Sequence, residues 1–183
     1  MNEDRREAFY HNRIRQSGPS YAEFDLPSAE VMLSLRFTEN VVQQACAPYL
    51  AQFGLSKSSV NILMLLRHGP PEGTLLHDLG DLLLVSRANI TGLIDHLEQK
   101  GMVKRIVDAQ DRRARFAQIT KKGEEALDAF MPVHYRNVKA MLAGLSGADK
   151  TTLLRLLKKT RESINSYGAE LENSPVVELI NAD

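Results

Sequence analysis

Apolar residues recur at helical spacing along most of this chain, and the polar breaks between the runs are well marked. After Leu26-Pro27-Ser28, the positions Val31, Leu35, Val42, Ala45, Tyr49 and Phe53 trace a long amphipathic helix with Ser28 as its expected N-cap. That helix spans about 29–53, and Pro48 near its end is expected to kink it or end it early. Gly54-Leu55-Ser56 reads as a stop followed by a new cap. Residues 59–67 then form a short apolar helix, closed by His68-Gly69-Pro70-Pro71. Thr74 is expected to cap a helix over 75–83, and Ser86 another that runs to Gln99 or Lys100, with a tight turn around Val85 between them. In the second of these, Ile90, Leu93, Ile94 and Leu97 make one narrow buried stripe, and Gly101 stands where a left-handed C-cap belongs.

Past Gly101 the period changes. Val103–Val107 and Arg115–Ile119 have strand-like composition, and the polar, turn-rich residues 108–114 between them predict a β-hairpin with a charged tip. Thr120 is expected to cap a long helix through about Ala143. Ser146-Gly-Ala-Asp149 is a capping-box variant opening a last helix to about Tyr167. There is no internal repeat. The expected fold is mainly α with a small β-hairpin wing: two short helices and a tight turn, followed at once by a hairpin, describe a winged helix-turn-helix.

Composition narrows the class. With 183 residues, 43% hydrophobic and 25% charged, the chain is an ordinary globular one. Its longest aliphatic run, Ile62 to Leu66, cannot span a bilayer, and the charged N-terminus lacks the apolar core of a secretory signal. Cys46 is the only cysteine, which excludes an internal disulfide framework and a Cys-rich zinc site. The expected compartment is the cytoplasm, and no membrane partner is expected. Net charge is zero, yet residues 21–85 and 169–183 are acidic while 86–168 are basic. A neutral total argues against non-specific coating of nucleic acid, but a local basic segment can supply phosphate contacts.

The chemistry sits where a winged helix would use it. Ser86, Arg87, Asn89 and Thr91 cluster at the start of the second short helix, the end that such motifs present to bases. Arginine pairs with guanine edges and asparagine with adenine edges, while serine and threonine reach phosphates or thymine methyls. At the hairpin tip Arg112 and Arg113 follow Asp111. An arginine there can enter a narrow minor groove, held by the neighbouring carboxylate.

The run SRANITGLIDHLEQKGMVKRIVDAQDRRARFAQITKKG strongly resembles the signature segment of the multiple antibiotic resistance regulator (MarR) family of bacterial transcription factors. The matching features are Val85-Ser-Arg-Ala-Asn-Ile-Thr-Gly-Leu-Ile-Asp, Leu97-Glu98-Gln-Lys100-Gly101, Val103-x-Arg105, Asp108-x-x-Asp111-Arg112-Arg113 and Ile119-Thr120-x-x-Gly123. They cover almost the whole winged helix. The resemblance adds Arg105 to the expected DNA-binding set. It implies a homodimer whose terminal helices form the dimer base, and two winged helices reading a pseudo-palindromic operator. It also implies a repressor released by a small effector, often aromatic or anionic. The expected layout is an N-terminal arm (1–27), one domain (28–168) and an acidic tail (169–183). Within the domain, 28–53 is a dimerisation helix, 54–120 the winged helix-turn-helix, and 121–168 further dimerisation helices.

An effector cleft is expected between winged helix and dimer base, with Arg36, Asn40, Tyr49, His68, His134 and Tyr135 as candidate linings. The arm is longer than the usual family start. Its Arg5, Arg6, Arg13 and Arg15 could touch DNA, or Phe9, Tyr10, Tyr21 and Phe24 could pack on a partner subunit; packing or disorder is the expectation. Cys46 raises a redox-sensing alternative, although a lone helical cysteine is more often a small buried hydrophobe. The histidines (11, 68, 77, 96 and 134) show no metal-ligand spacing, and His77-Asp78 lacks the further motifs of a metal phosphohydrolase. Without a phosphate loop, nucleophile elbow or zinc-protease helix, no enzyme, cofactor or metal is expected. The competing class is a winged-helix module that binds protein and serves assembly only.

Overall fold

A computed structural model describes residues 5–107 and 115–172. The N-terminal arm departs first from expectation. Arg5–Ser17 is a helix, α1, turned back by a 3-10 segment at Gly18–Ser20 onto α2, Leu26–Gln52. Gly18 is buried against the Phe24 ring, and a Cβ there would lie 2.2 Å from it, so any larger residue would have to displace that ring. Arg15 reaches Glu30 at 2.7 Å, His11 lies 3.8 Å from the same carboxylate, and the Tyr10 and Phe37 rings meet at 5.9 Å. These contacts make α1 and α2 an antiparallel hairpin.

Asp25, not Ser28, caps α2: its carboxylate accepts the Ser28 amide at 2.9 Å. The hydrogen bonds from Ser28 hold the Asp25 carboxyl below its usual range. Pro27 explains the early start, since its fixed φ suits the first turn and its missing N–H costs nothing there. Nor does Pro48 end the helix, which continues to Gln52. Tyr49 is buried and Leu50 packs against the core just beyond the proline, so tertiary burial outweighs the lost backbone bond.

The next elements follow the pattern. Gly54 takes φ +63°, Ser56 accepts from the Ser59 amide, and α3 runs over Lys57–His68. Thr74 is a second correction. It does not cap a helix; Thr74–Leu75 forms a short strand, β1, and α4 (Leu76–Leu83) starts without a side-chain cap. Backbone pairing with a distant strand takes the segment before a cap can form. Then come α5 (Arg87–Gln99), β2 (Val103–Val107) and β3 (Arg115–Ile119), and the sheet order is β1-β3-β2, all antiparallel. The register Arg105↔Ala117 and Thr74↔Ala117 centres the sheet on a fully buried Ala117.

Helices α6 (Lys121–Met141) and α7 (Gly147–Glu172) complete the described chain. The Ser146/Asp149 box is present in both directions, with Asp149 N donating to Ser146 Oγ and Ser146 N to Asp149 Oδ2. The chain divides into two compact units, residues 1–131 and 132–183. The core of the first is Ile62 and Leu63 of α3, Leu79 of α4, the α5 stripe Ile90, Ile94 and Leu97, Val103, Leu127 and Phe130. Phe130 stacks on Tyr49 and meets Phe53 edge-on. Among the described residues no helix is long and apolar enough to cross a membrane.

Candidate nucleic-acid interface

The geometry begins at the turn between α4 and α5. Leu84 is left-handed (φ 54°, ψ 44°) and 93% exposed, an uncommon state for a branched residue. It lets the Val85 amide donate back to the Gly80 carbonyl at 3.0 Å. A Cβ on Gly80 would sit 3.3 Å from the Val85 carbonyl oxygen and 3.6 Å from Ile90, so glycine allows the two helices to close on one another. Ser86 then caps α5, its Oγ facing the Asn89 amide at 3.4 Å.

With Ile90, Ile94 and Leu97 facing the core, the opposite side of α5 is set. Ser86, Ala88, Asn89, Thr91 and Gly92 are all exposed around its first turns. Arg87 is the first helical residue, and its side chain lies outside what is described. The unpaired amides of this end carry the positive end of the helix dipole, so the surface combines polar side chains with a field that favours phosphate.

Arg105 is placed differently from the α5 cluster. Its guanidinium donates to Asp95, to Glu98 Oε2 at 2.7 Å and to the Thr91 carbonyl at 3.2 Å. Its own amide donates to Glu98 Oε1 at 3.1 Å. Burial alone would lower the Arg105 pKa, but the bonds to Asp95 and Glu98 outweigh it and the net direction is upward. The residue therefore ties the edge strand of the wing to the middle of α5. Asp95 and Glu98 were not singled out from sequence; their i, i+3 spacing on α5, ahead of Arg105, was the available signal. Asp111, Arg112 and Arg113 lie outside the described residues.

The other end of α5 is braced too. Lys100 Nζ donates to the Gly54 carbonyl at 2.7 Å, Thr120 Oγ1 to the Gly101 carbonyl at 2.7 Å, and Lys122 Nζ to the Lys100 carbonyl at 2.7 Å. Gly123 must be glycine: a Cβ would lie 2.3 Å from the Met102 carbonyl oxygen.

The candidate effector residues of the first unit do not share one cleft. Arg36 and Asn40 line a space between α1 and α2, whereas His68 lines a separate cavity of about 520 Å³ with Asn61, Met64, Thr74 and Leu82. Tyr49 belongs to the core, its hydroxyl donating to half-buried Cys46 Sγ at 3.0 Å. His134 and Tyr135 lie in the second unit, rings 5.7 Å apart. Among the described residues no three His, Cys, Asp or Glu side chains gather as a metal site.

Comparisons place this geometry among known proteins. The MarR family profile matches residues 53–114. The HTH-type transcriptional repressor YetL of Bacillus subtilis is 28% identical over 157 residues, 86% of this chain and 94% of YetL. The HTH-type transcriptional regulator MhqR of the same organism is 32% identical over 111 residues, 61% of this chain and 75% of MhqR. The S. aureus MepR–DNA complex superposes with TM-score 0.65 at 23% identity, covering 70% of this chain and 94% of MepR. CouR of Rhodococcus jostii RHA1, bound to p-coumaroyl-CoA, gives TM-score 0.62 at 24% identity, covering 75% and 92%. The structural likenesses establish the winged-helix fold.

Proposed function

This chain belongs to the MarR family of transcriptional regulators, and from that premise we propose that it is a homodimeric repressor of a pseudo-palindromic operator. The observation that carries this reading is the exposed polar start of α5, held in a fixed relation to the wing strand by Arg105. Ser86 and Thr91 are assigned to phosphates or thymine methyls, Arg87 and Asn89 to base edges, and the wing tip with Asp111, Arg112 and Arg113 to the flanking minor groove. Arg105 acts on DNA through the pose of the wing. The protein works in the cytoplasm without a cofactor.

Two exposed apolar stripes support the dimer. Val31, Met32, Val41 and Val42 lie open on α2, and Leu153, Leu154, Leu156, Ile164 and Tyr167 on α7. Surface of this kind is seldom left to water, and a second copy covers it in this reading. A small-molecule effector releasing the operator accords with the ligand held by CouR, a protein of the same fold.

The test is selection of bound genomic fragments, followed by titration of Asn89→Ala, Arg87→Ala and Arg113→Ala on the selected site and on random DNA. Loss of a base-edge contact removes roughly 1–3 kcal/mol of discrimination. Equal losses on both DNAs for Asn89→Ala and Arg87→Ala overturn the base-reading role. Retention of wild-type protein on no DNA at low salt overturns the regulator in favour of an assembly module.

A further inference from the structure

We propose that Leu84 is a specificity-determining residue whose side chain meets the C5 methyl group of a thymine in the major groove; this rests on the regulatory reading above and extends it to the turn ahead of α5. The turn itself calls for a different residue. Leu84 closes α4 in the left-handed conformation, its amide donating to the Asp81 carbonyl at 3.2 Å and the Val85 amide to the Gly80 carbonyl at 3.0 Å. Glycine takes up that backbone freely and asparagine tolerates it, whereas a bulky side chain is disfavoured there.

Packing does not offset that cost. Leu83 and Val85, on either side, pack against the core, while Leu84 between them is left in solvent. A large side chain held in a conformation suited to glycine, and touching nothing in the free protein, is the kind of local strain that collects at functional sites.

The place of Leu84 in the fold selects the occupant. Two residues on, Ser86 caps α5, and exposed Ala88, Asn89, Thr91 and Gly92 continue from it. Leu84 thus brings a large apolar group to the edge of a mostly polar surface. The major-groove edges of the bases carry polar donors and acceptors and one apolar feature, the thymine methyl, which is the group that a leucine matches. The face of α5 is also shaped for close approach. A Cβ added at Gly92 would meet nothing within 4 Å, so packing does not require a glycine in this helix interior, where glycine is a poor helix former. With Ala88 one turn before it, the exposed face carries little bulk, and the helix can settle deep enough for the turn to reach a base edge.

The operator obtained by selection of genomic fragments is remade with each thymine in turn replaced by deoxyuridine, which lacks the methyl group and keeps every hydrogen-bonding group. Full-length wild type, Leu84→Gly and Leu84→Asn are titrated on each duplex and on random DNA, with circular dichroism to confirm folding. Both replacements suit the left-handed backbone, so the fold is expected to survive in each. Wild type is expected to lose about fourfold at a thymine of the half-site, the worth of one methyl group removed from water. Both variants are expected to bind the intact operator more weakly by at least that factor, to ignore deoxyuridine at that position, and to bind random DNA as wild type does. Wild-type operator affinity in Leu84→Gly, an equal loss on operator and random DNA, or a deoxyuridine profile that the variants leave unchanged overturns the contact while the regulator stands. Retention of wild type on no DNA overturns both.

Discussion

Replacing Arg105 by alanine removes a side chain that ties the wing strand to α5 through Asp95, Glu98 and the Thr91 carbonyl. The Arg105 side chain keeps 19% of its exposure, while Asp95 and Glu98 keep 49% and 40%. A hydrogen bond to a charged group is worth about 1.5–3 kcal/mol when buried, and an exposed ion pair about 0.2–1 kcal/mol. With the acids about half in water, each contact falls near 1 kcal/mol, and the three together come to about 2–3 kcal/mol. For a chain of this length that lowers Tm by roughly 5–10 °C. Arg105→Lys is expected to lose an intermediate amount, because an ammonium cannot span three acceptors that a planar guanidinium reaches at once.

Urea denaturation followed by far-UV circular dichroism gives the stability change, and operator titration across salt concentrations gives its consequence. Affinity is expected to fall while the salt slope stays the same, since no phosphate contact is lost. A slope reduced by about one would instead mean that Arg105 touches phosphate directly. An alanine variant within about 0.5 kcal/mol of wild type, the range of ordinary surface substitutions, would refute the bracing role.

Other perturbations test the frame around the site. Gly123→Ala forces a Cβ to 2.3 Å from the Met102 carbonyl and is expected to cost roughly 2–3 kcal/mol in urea denaturation. Leu84→Gly relieves a left-handed backbone where the side chain packs on nothing, and a net gain of about 0.5 kcal/mol is expected in the same assay. Tyr49, pushed up to about 12 by burial and by its bond to Cys46, is expected to give a late ionisation step in an absorbance titration, which Tyr49→Phe removes. Because the unfolded chain loses this proton near pH 10 and the folded one near 12, Tyr49 supports the fold fully below about pH 10. That support fades as pH rises through 12, and Tyr49→Phe is expected to flatten the alkaline end of the stability profile.

Where a signal and its response lie within a few residues, local pattern decided the outcome. The α5 stripe, the Ser86 and Thr120 caps, the left-handed Gly101, the Ser146/Asp149 box and both strands of the hairpin follow from side chains acting on neighbouring backbone. The polar start of α5 was legible for the same reason, since a buried stripe at helical spacing leaves the other side to solvent. Tertiary structure decided wherever distant groups competed. Thr74 had the chemistry of a cap, but pairing with Ala117 claimed its backbone. Pro48 had the chemistry of a stop, but burial of Tyr49 carried α2 past it. The arm became α1 because α2 offered Glu30 and Phe37 at matching heights. Arg105 looked like one more basic residue of the wing until the fold brought Asp95 and Glu98 beneath it. Arg36 and His68 were separated into different cavities by helices whose mutual packing no local pattern encodes. Caps and stripes act over one or two turns of backbone, whereas partners and cavities depend on which of several locally adequate arrangements buries the most apolar surface with its polar groups paired.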